Sequence, residues 1–240
     1  MKRYKVHLVL ILYLCFSFAF KSNAQQTLLI KDSIQLDEVI VTGTSRTISI
    51  RHLPMSISVV NNKEIKSRLT TSLLPLLSEE VPGLFLTQRG VMGYGVAAGA
   101  AGGMNVRGIG GAPTAGVLVL IDGNPQYMGL MGHPLADSYQ SLMAEKVEVI
   151  RGPASMLYGS NAMGGVINII TDQTKTDVNK ASAHVMYGSY NTLSAEASAM
   201  SRKKALQGNF NIGYNRSDGH RENMEFEQLN GQGKLGYDIN

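Results

Sequence analysis

Near the middle of this chain a strand, a forced stop and a glycine corner follow one another without a gap. Val147-Glu148-Val149-Ile150-Arg151 has the β-branched content of a strand. Gly152-Pro153 ends it, because proline has no backbone N–H and a fixed φ. Tyr158-Gly159-Ser160-Asn161-Ala162-Met163 leads to Gly164-Gly165, where the backbone can bend. Val166-Ile167-Asn168-Ile169-Ile170-Thr171 then resumes a strand. Upstream lie Asn105-Val106-Arg107-Gly108-Ile109-Gly110 and the run Val117-Leu118-Val119-Leu120-Ile121, closed by Asp122-Gly123. Runs this apolar predict strands covered on both faces. The expected sheet has 117–121 beside 147–150, with 166–170 joining them.

The start of the chain is not part of that fold. Lys2, Arg3 and Lys5 precede an apolar run, residues 6–20, and Ser22-Asn23-Ala24 supplies small residues for cleavage. The run is too short for the roughly 20 residues of a membrane-spanning helix. Residues 1–24 therefore read as a secretory signal peptide. Leu14 before Cys15 is too bulky for a lipoprotein cleavage site, so lipidation is rejected. The leader carries Lys2, Arg3, Lys5 and Lys21 and no acid. Of 22 basic residues, 22 less these four leaves 18 against 18 acidic ones. A balanced mature chain gives no reason to expect nucleic acid as a partner, whatever the pI of the whole sequence. Cys15 is the only cysteine, so the exported chain must rely on packing and hydrogen bonds.

After a polar stretch, Leu36-Asp37-Glu38-Val39-Ile40-Val41-Thr42-Gly43 has a strand-forming centre near a free terminus, where it need have no strand partner of its own. Residues 55–60 alternate as a half-buried strand. Asn62 to Ile65 can cap and open a short helix, and residues 71–80 a second one, provided Pro75 falls in its first turn. Residues 89–111 are glycine-rich. Gly93-Tyr94-Gly95-Val96-Ala97-Ala98-Gly99 has GxGxxxG spacing, with no strand leading in and no helix following, so nucleotide binding is rejected. His133, with Tyr127 and Met128 in the loop before it, is a lone histidine, and no cluster has metal-ligand spacing. No nucleophile–base arrangement is visible, so no enzyme and no cofactor are expected.

Beyond Asp172 the pattern changes. Ala181, Ala183, Val185 and Tyr187 are apolar at every second position. Three more segments follow suit: Leu193 to Ala199, Leu206 to Tyr214 and Leu229 to Ile239. Four alternating segments of roughly ten residues, with tyrosines 187, 190, 214 and 237 near their ends, are the signature of membrane β-barrel strands. A soluble sheet with one wet face would share the pattern. Arg202-Lys203-Lys204 predicts a tight turn and residues 217–225 a longer loop.

These motifs, in this order, resemble the plug domain of TonB-dependent outer-membrane receptors, over roughly residues 37–172. The resemblance implies an α+β plug domain, a small mixed sheet with short helices, followed by antiparallel strands of an incomplete transmembrane β-barrel. The expected division is signal peptide 1–24, N-terminal extension 25–44, plug 45–172, linker 173–180 and start of the barrel 181–240. Plugged barrels have about 22 strands. The four read here imply the first part of a longer receptor in the cell outer membrane.

The resemblance also implies roles. Asp37, Glu38, Val39, Ile40, Val41, Thr42 and Gly43 occupy the place of the TonB box, which offers itself as an added strand to the periplasmic protein TonB. Arg107 and Arg151 occupy places where such receptors set arginines against glutamates of the inner barrel wall. Failing those partners, local carbonyls or Glu145 and Glu148 are expected to take the guanidinium groups. Tyr94, Tyr127 and His133 lie in loops that would face a ligand. The partners implied are TonB, outer-membrane lipid and a scarce small ligand such as a ferric siderophore, haem or cobalamin. A plug threaded from the periplasm puts Arg202 inside and the 217–225 loop outside. The rival readings are a secreted or surface binding module without transport, and a periplasmic enzyme.

Overall fold

The computed structural model describes residues 39–40, 48–49, 55–68, 70–88, 92–94, 102–111, 116–126, 136–172 and 176–238. All of them belong to one compact unit, Asp37–Asn240. The expected signal peptide, Asp37, Glu38, Val41, Thr42, Gly43, Tyr127 and His133 lie outside the described residues.

The plug is built on a five-stranded mixed sheet. In chain order its strands are β3 (Ile57–Asn61), β7 (Val117–Ile121), β8 (Asn124–Pro125), β9 (Ala144–Arg151) and β10 (Gly165–Thr171), after the short β1 (Val39–Ile40) and β2 (Ile48–Ser49). Across the sheet the order is β3-β9-β10-β7-β8. The expectation that 117–121 and 147–150 are neighbours is corrected: β10 lies between them. It pairs antiparallel with β9, Val166 opposite Ile150, and parallel with β7, Ile167 opposite Val119. The reason is connection length. β9 and β10 are joined by a corner that stays at one end of the sheet, which allows antiparallel pairing. A parallel neighbour needs a crossover, and for β7 and β10 that crossover is the whole chain between them, β9 included.

Both faces of this sheet are covered, as the apolar runs require. On one side Val119, Ile167 and Ile169 pack with Leu73, Leu74, Leu76 and Leu77 of helix α2 (Leu73–Glu80). On the other, Val166, Leu118, Leu120 and Ile150 pack with Ile57, Ala154 and Ala162. The first helix, α1 (Asn62–Ser67), is capped by Asn61, whose side chain accepts from the Glu64 N–H while the Glu64 carboxylate accepts from the Asn61 N–H. In α2 the Ser72 hydroxyl accepts from the Leu74 N–H, and Pro75 is the third helical residue, within the first turn.

A small sheet of β4 (Leu84–Leu86), β5 (Met104–Val106) and β6 (Ile109–Gly110) flanks the plug. Arg107 and Gly108 make the two-residue turn between β5 and β6, at φ 53° and 83°. Positive φ at both positions is what a tight hairpin demands.

The remaining strands form a four-stranded antiparallel meander: β11 (Val178–Gly188), β12 (Thr192–Lys203), β13 (Leu206–Ser217) and β14 (Phe226–Tyr237). The sheet begins at Val178, inside the segment expected as linker. Lys204 and Ala205 make the tight turn, and residues 218–225 the longer loop. At 11 or 12 residues, these strands have the length needed to cross a bilayer at a tilt. The ladder aligns the alternation across all four: Ala183 opposite Ala197, Ala197 opposite Ile212, Ile212 opposite Gly231.

The exposure of the two faces is the reverse of a soluble sheet. Leu235 is 80% exposed and Tyr187 70%, with Val185, Phe210 and Leu229 also bare, whereas Ser194 is fully buried. The polar face is turned onto the plug and the apolar face is free. Water would favour the opposite arrangement, while lipid favours this one.

Candidate functional site at the seam between plug and strands

The inner face of the meander meets the plug along a seam parallel to the strands. At the end marked by the 218–225 loop lies a cavity of about 300 Å³, bordered by Ser72, Tyr94, Asp137, Asn215, Phe226 and Gln228. Tyr94 is buried there and makes two polar contacts. Its N–H donates to Asp137 Oδ1 at 2.9 Å, and its hydroxyl lies 3.5 Å from Ser72 Oγ. Next to it, Gly93 has φ 80° and packs so closely on the Phe226 ring that a Cβ would sit 2.4 Å from it. The glycine is needed for this approach of plug to strand. Burial raises the Tyr94 pKa, Ser72 partly offsets this, and nearby Asp137 adds to the rise, so the phenol is held neutral. Gln228 of β14 donates to the Asp137 carbonyl at 2.8 Å.

A second tie lies towards the tight-turn end. Asp122, at φ 49° just after β7, accepts from the Thr171 N–H at 2.9 Å and the Thr171 hydroxyl at 2.7 Å. Lys234 of β14 donates to the same carboxylate at 2.7 Å. Burial alone would raise the Asp122 pKa. The hydrogen bonds from Lys234 and Thr171 outweigh it and hold the carboxyl below its ordinary value.

Of the residues singled out in the sequence, Tyr94 lines this cavity. Arg107 and Arg151 converge on a different patch. Arg107 donates to the Ser56 hydroxyl at 3.1 Å and Arg151 to the Pro82 carbonyl at 3.5 Å, while the Arg151 N–H donates to the Ser56 carbonyl at 2.8 Å. The Pro82 carbonyl is 69 positions from Arg151, brought to it by the fold. The expected carboxylates are engaged elsewhere: Glu148 with Lys146 at 2.6 Å, and Glu145 with the Asn62 amide at 2.9 Å. Val39 and Ile40, which needed no strand partner of their own, form a two-residue antiparallel ladder with Ile48 and Ser49. Sequence reasoning missed Ser72, Asp137, Gln228 and Lys234. Only Asp122-Gly123 carried a local signal, and that signal spoke of a turn, not a carboxylate role.

Comparison with known proteins agrees with this geometry. Residues 49–166 match the TonB-dependent receptor plug domain. The chain carries the plug domain of TonB-dependent receptors, and its bare apolar strands fit an outer-membrane setting. It is 35% identical over 150 residues to the iron-regulated outer membrane virulence protein of Vibrio cholerae, covering 59% of this chain and 21% of that protein. It is 35% identical over 136 residues to the hemin receptor of Yersinia enterocolitica, covering 56% of this chain and 18% of that one. The chain thus spans about a fifth of the length of these relatives. In fold it resembles the ferripyoverdine receptor of Pseudomonas aeruginosa, with a TM-score of 0.64 at 18% identity over 85% of this chain and 26% of that one. It also resembles the alcaligin receptor of Bordetella pertussis, with a TM-score of 0.61 at 17% identity over 85% of this chain and 32% of that one.

Proposed function

We propose that this chain is the plug-bearing part of a receptor that takes up an iron chelate, a ferric siderophore or haem, across the outer membrane, with TonB supplying the energy. Cobalamin belongs to the same general class of scarce cargo. The reading rests chiefly on the inverted seam: a plug seated against the polar face of lipid-facing strands, with a cavity at its loop end. Relatives named for iron regulation and hemin support the iron-chelate class. In this reading the 218–225 loop faces outside, and the Tyr94 cavity belongs to the ligand's path. Residues 37–43 dock on TonB, and Arg107 and Arg151 lock the plug in its barrel. In the same reading the leader is 1–24, the extension 25–44 and the plug 45–172, with the barrel wall starting at Val178, three residues earlier than the pattern suggested.

A secreted binding module would have to keep Leu229, Leu235 and Tyr187 in water, which the reading as a lipid-facing wall avoids. The test is growth. A strain lacking the receptor gene, starved of free iron, is offered haemin or a panel of ferric siderophores. Failure to grow on at least one of them, restored by the gene and abolished again when TonB is removed, is the expected result. Equal growth of mutant and parent on every chelate would overturn the reading.

A further inference from the structure

Midway along the seam lies a second cavity, of about 210 Å³, whose floor is the inner face of β12, β13 and β14 and whose roof is the plug around Gln140 and Leu142. Gly213 lies in its floor. In the ladder Gly213 stands between Glu196 and Asn230. With no side chain there, the Asn230 amide can lie close over Gly213, where a Cβ would come within 2.9 Å of Asn230 Oδ1.

The polar lining is unbalanced. Glu196 is only 7% exposed. Its Oε1 meets no protein donor, and neither do Gln140 Oε1 nor Gln232 Oε1. Three buried acceptors with no donor, one on a carboxylate, are costly unless something positive or protic meets them. The Asn230 amide, whose Nδ2 is also unpaired, offers a fourth oxygen if turned over. His184 stands opposite Glu196 on β11, yet no hydrogen bond or ion pair joins the two. Among the described residues no group of three His, Cys, Asp or Glu side chains converges. The charge here comes from one carboxylate, and the remaining donors are amide oxygens.

We propose that this mid-seam cavity binds a partly hydrated inorganic cation, held by Glu196 with the side-chain oxygens of Gln140 and Gln232. Oxygen donors of this kind suit hard cations such as calcium or potassium. A volume several times the share of a single water leaves room for retained hydration. The site spans plug (Gln140) and strands (Glu196, Gln232), so an ion there would fasten one to the other. The proposal is independent of which cargo the receptor carries.

The test is thermal unfolding of the intact receptor in detergent, with calcium chloride, potassium chloride and choline chloride at matched ionic strength. Calcium or potassium should raise the unfolding temperature over choline by a few degrees, saturably. Glu196→Gln should remove that rise while unfolding no lower than wild type in choline, since it deletes a lone buried charge. Gly213→Ala, which keeps the charge but fills the floor, should weaken the effect at least several-fold. If neither cation shifts wild type, the cavity holds water only and the proposal fails. If Glu196→Gln keeps the full shift, the ion binds elsewhere and the proposal also fails. If the shift vanishes in His184→Asn as completely as in Glu196→Gln, the imidazole belongs to the site and the assignment to amide oxygens is overturned.

Discussion

Lys234 on β14 reaches across the seam to the Asp122 carboxylate at 2.7 Å and so ties the turn after β7 to the wall of strands. The same carboxylate holds the end of β10 through Thr171. One side chain thus joins the two central plug strands to β14.

Loss of this pair should be measurable. Lys234→Met should cost about 1–2 kcal/mol, a charge-assisted bond discounted because Lys234 is 34% exposed. Asp122 should also shape the acid limb. Its folded pKa is depressed, so its contribution is complete above the unfolded value of about 3.9 and is lost as pH falls through the lower folded value. As pH falls below about 4, the wild type should lose more stability than Asp122→Asn. Parallel acid limbs in the two proteins would mean that the pair contributes nothing.

Coupling to TonB should depend on main-chain pairing. The ladder of Val39 and Ile40 with Ile48 and Ser49 is two residues long, short enough to be exchanged for another strand. Proline at Ile40 or Val41 removes an N–H from any such ladder. Uptake should disappear in those variants while ligand binding at the cell surface stays normal. Normal uptake would show that residues 37–43 do not dock as a strand.

The central sheet should not tolerate charge. Leu118 and Ile150 lie on the face packed with Val166 and Ala162. An aspartate at either would be buried without a partner, at a cost of several kcal/mol by order of magnitude. Hydrogen exchange of β9 and β10 should accelerate strongly. Unchanged protection would contradict the burial seen here.

Arg107 and Arg151 share a patch around Ser56 and Pro82. If they also lock the plug, the double alanine variant of the full receptor should admit large antibiotics and exchange plug amides faster. An acid left unpaired at a buried site would cost about 3–5 kcal/mol. Arg107→Gly serves as the control for the turn, since glycine tolerates its positive φ. Unaltered permeability in the double variant would leave both arginines as local tethers.

Much of this protein is written in its local pattern. Residues 181–187, 193–199, 206–214 and 229–239 alternate with period two, so a strand assignment follows from side-chain geometry alone. Gly152-Pro153 and Gly164-Gly165 mark their corners because backbone sterics act over one or two residues. Asn61 and Glu64 cap α1, and Pro75 sits where a helix accepts it, for the same reason. The motif order from Asn105 to Thr171 was enough to point to the receptor family.

What alternation could not decide was which face is bare, since a soluble sheet carries the same pattern. The tertiary structure decided it: the plug covers Ser194, Glu196 and Asn215, leaving Leu235 and Tyr187 without cover. Nor could local pattern insert β10 between β7 and β9, because strand order depends on how connections route through space. Asp122 and Lys234 are 112 positions apart, and Arg107 and Ser56 are 51. Their meeting is set by how the folded plug lies against the strands, a relation between distant surfaces that leaves no periodicity and no neighbouring residue to mark it.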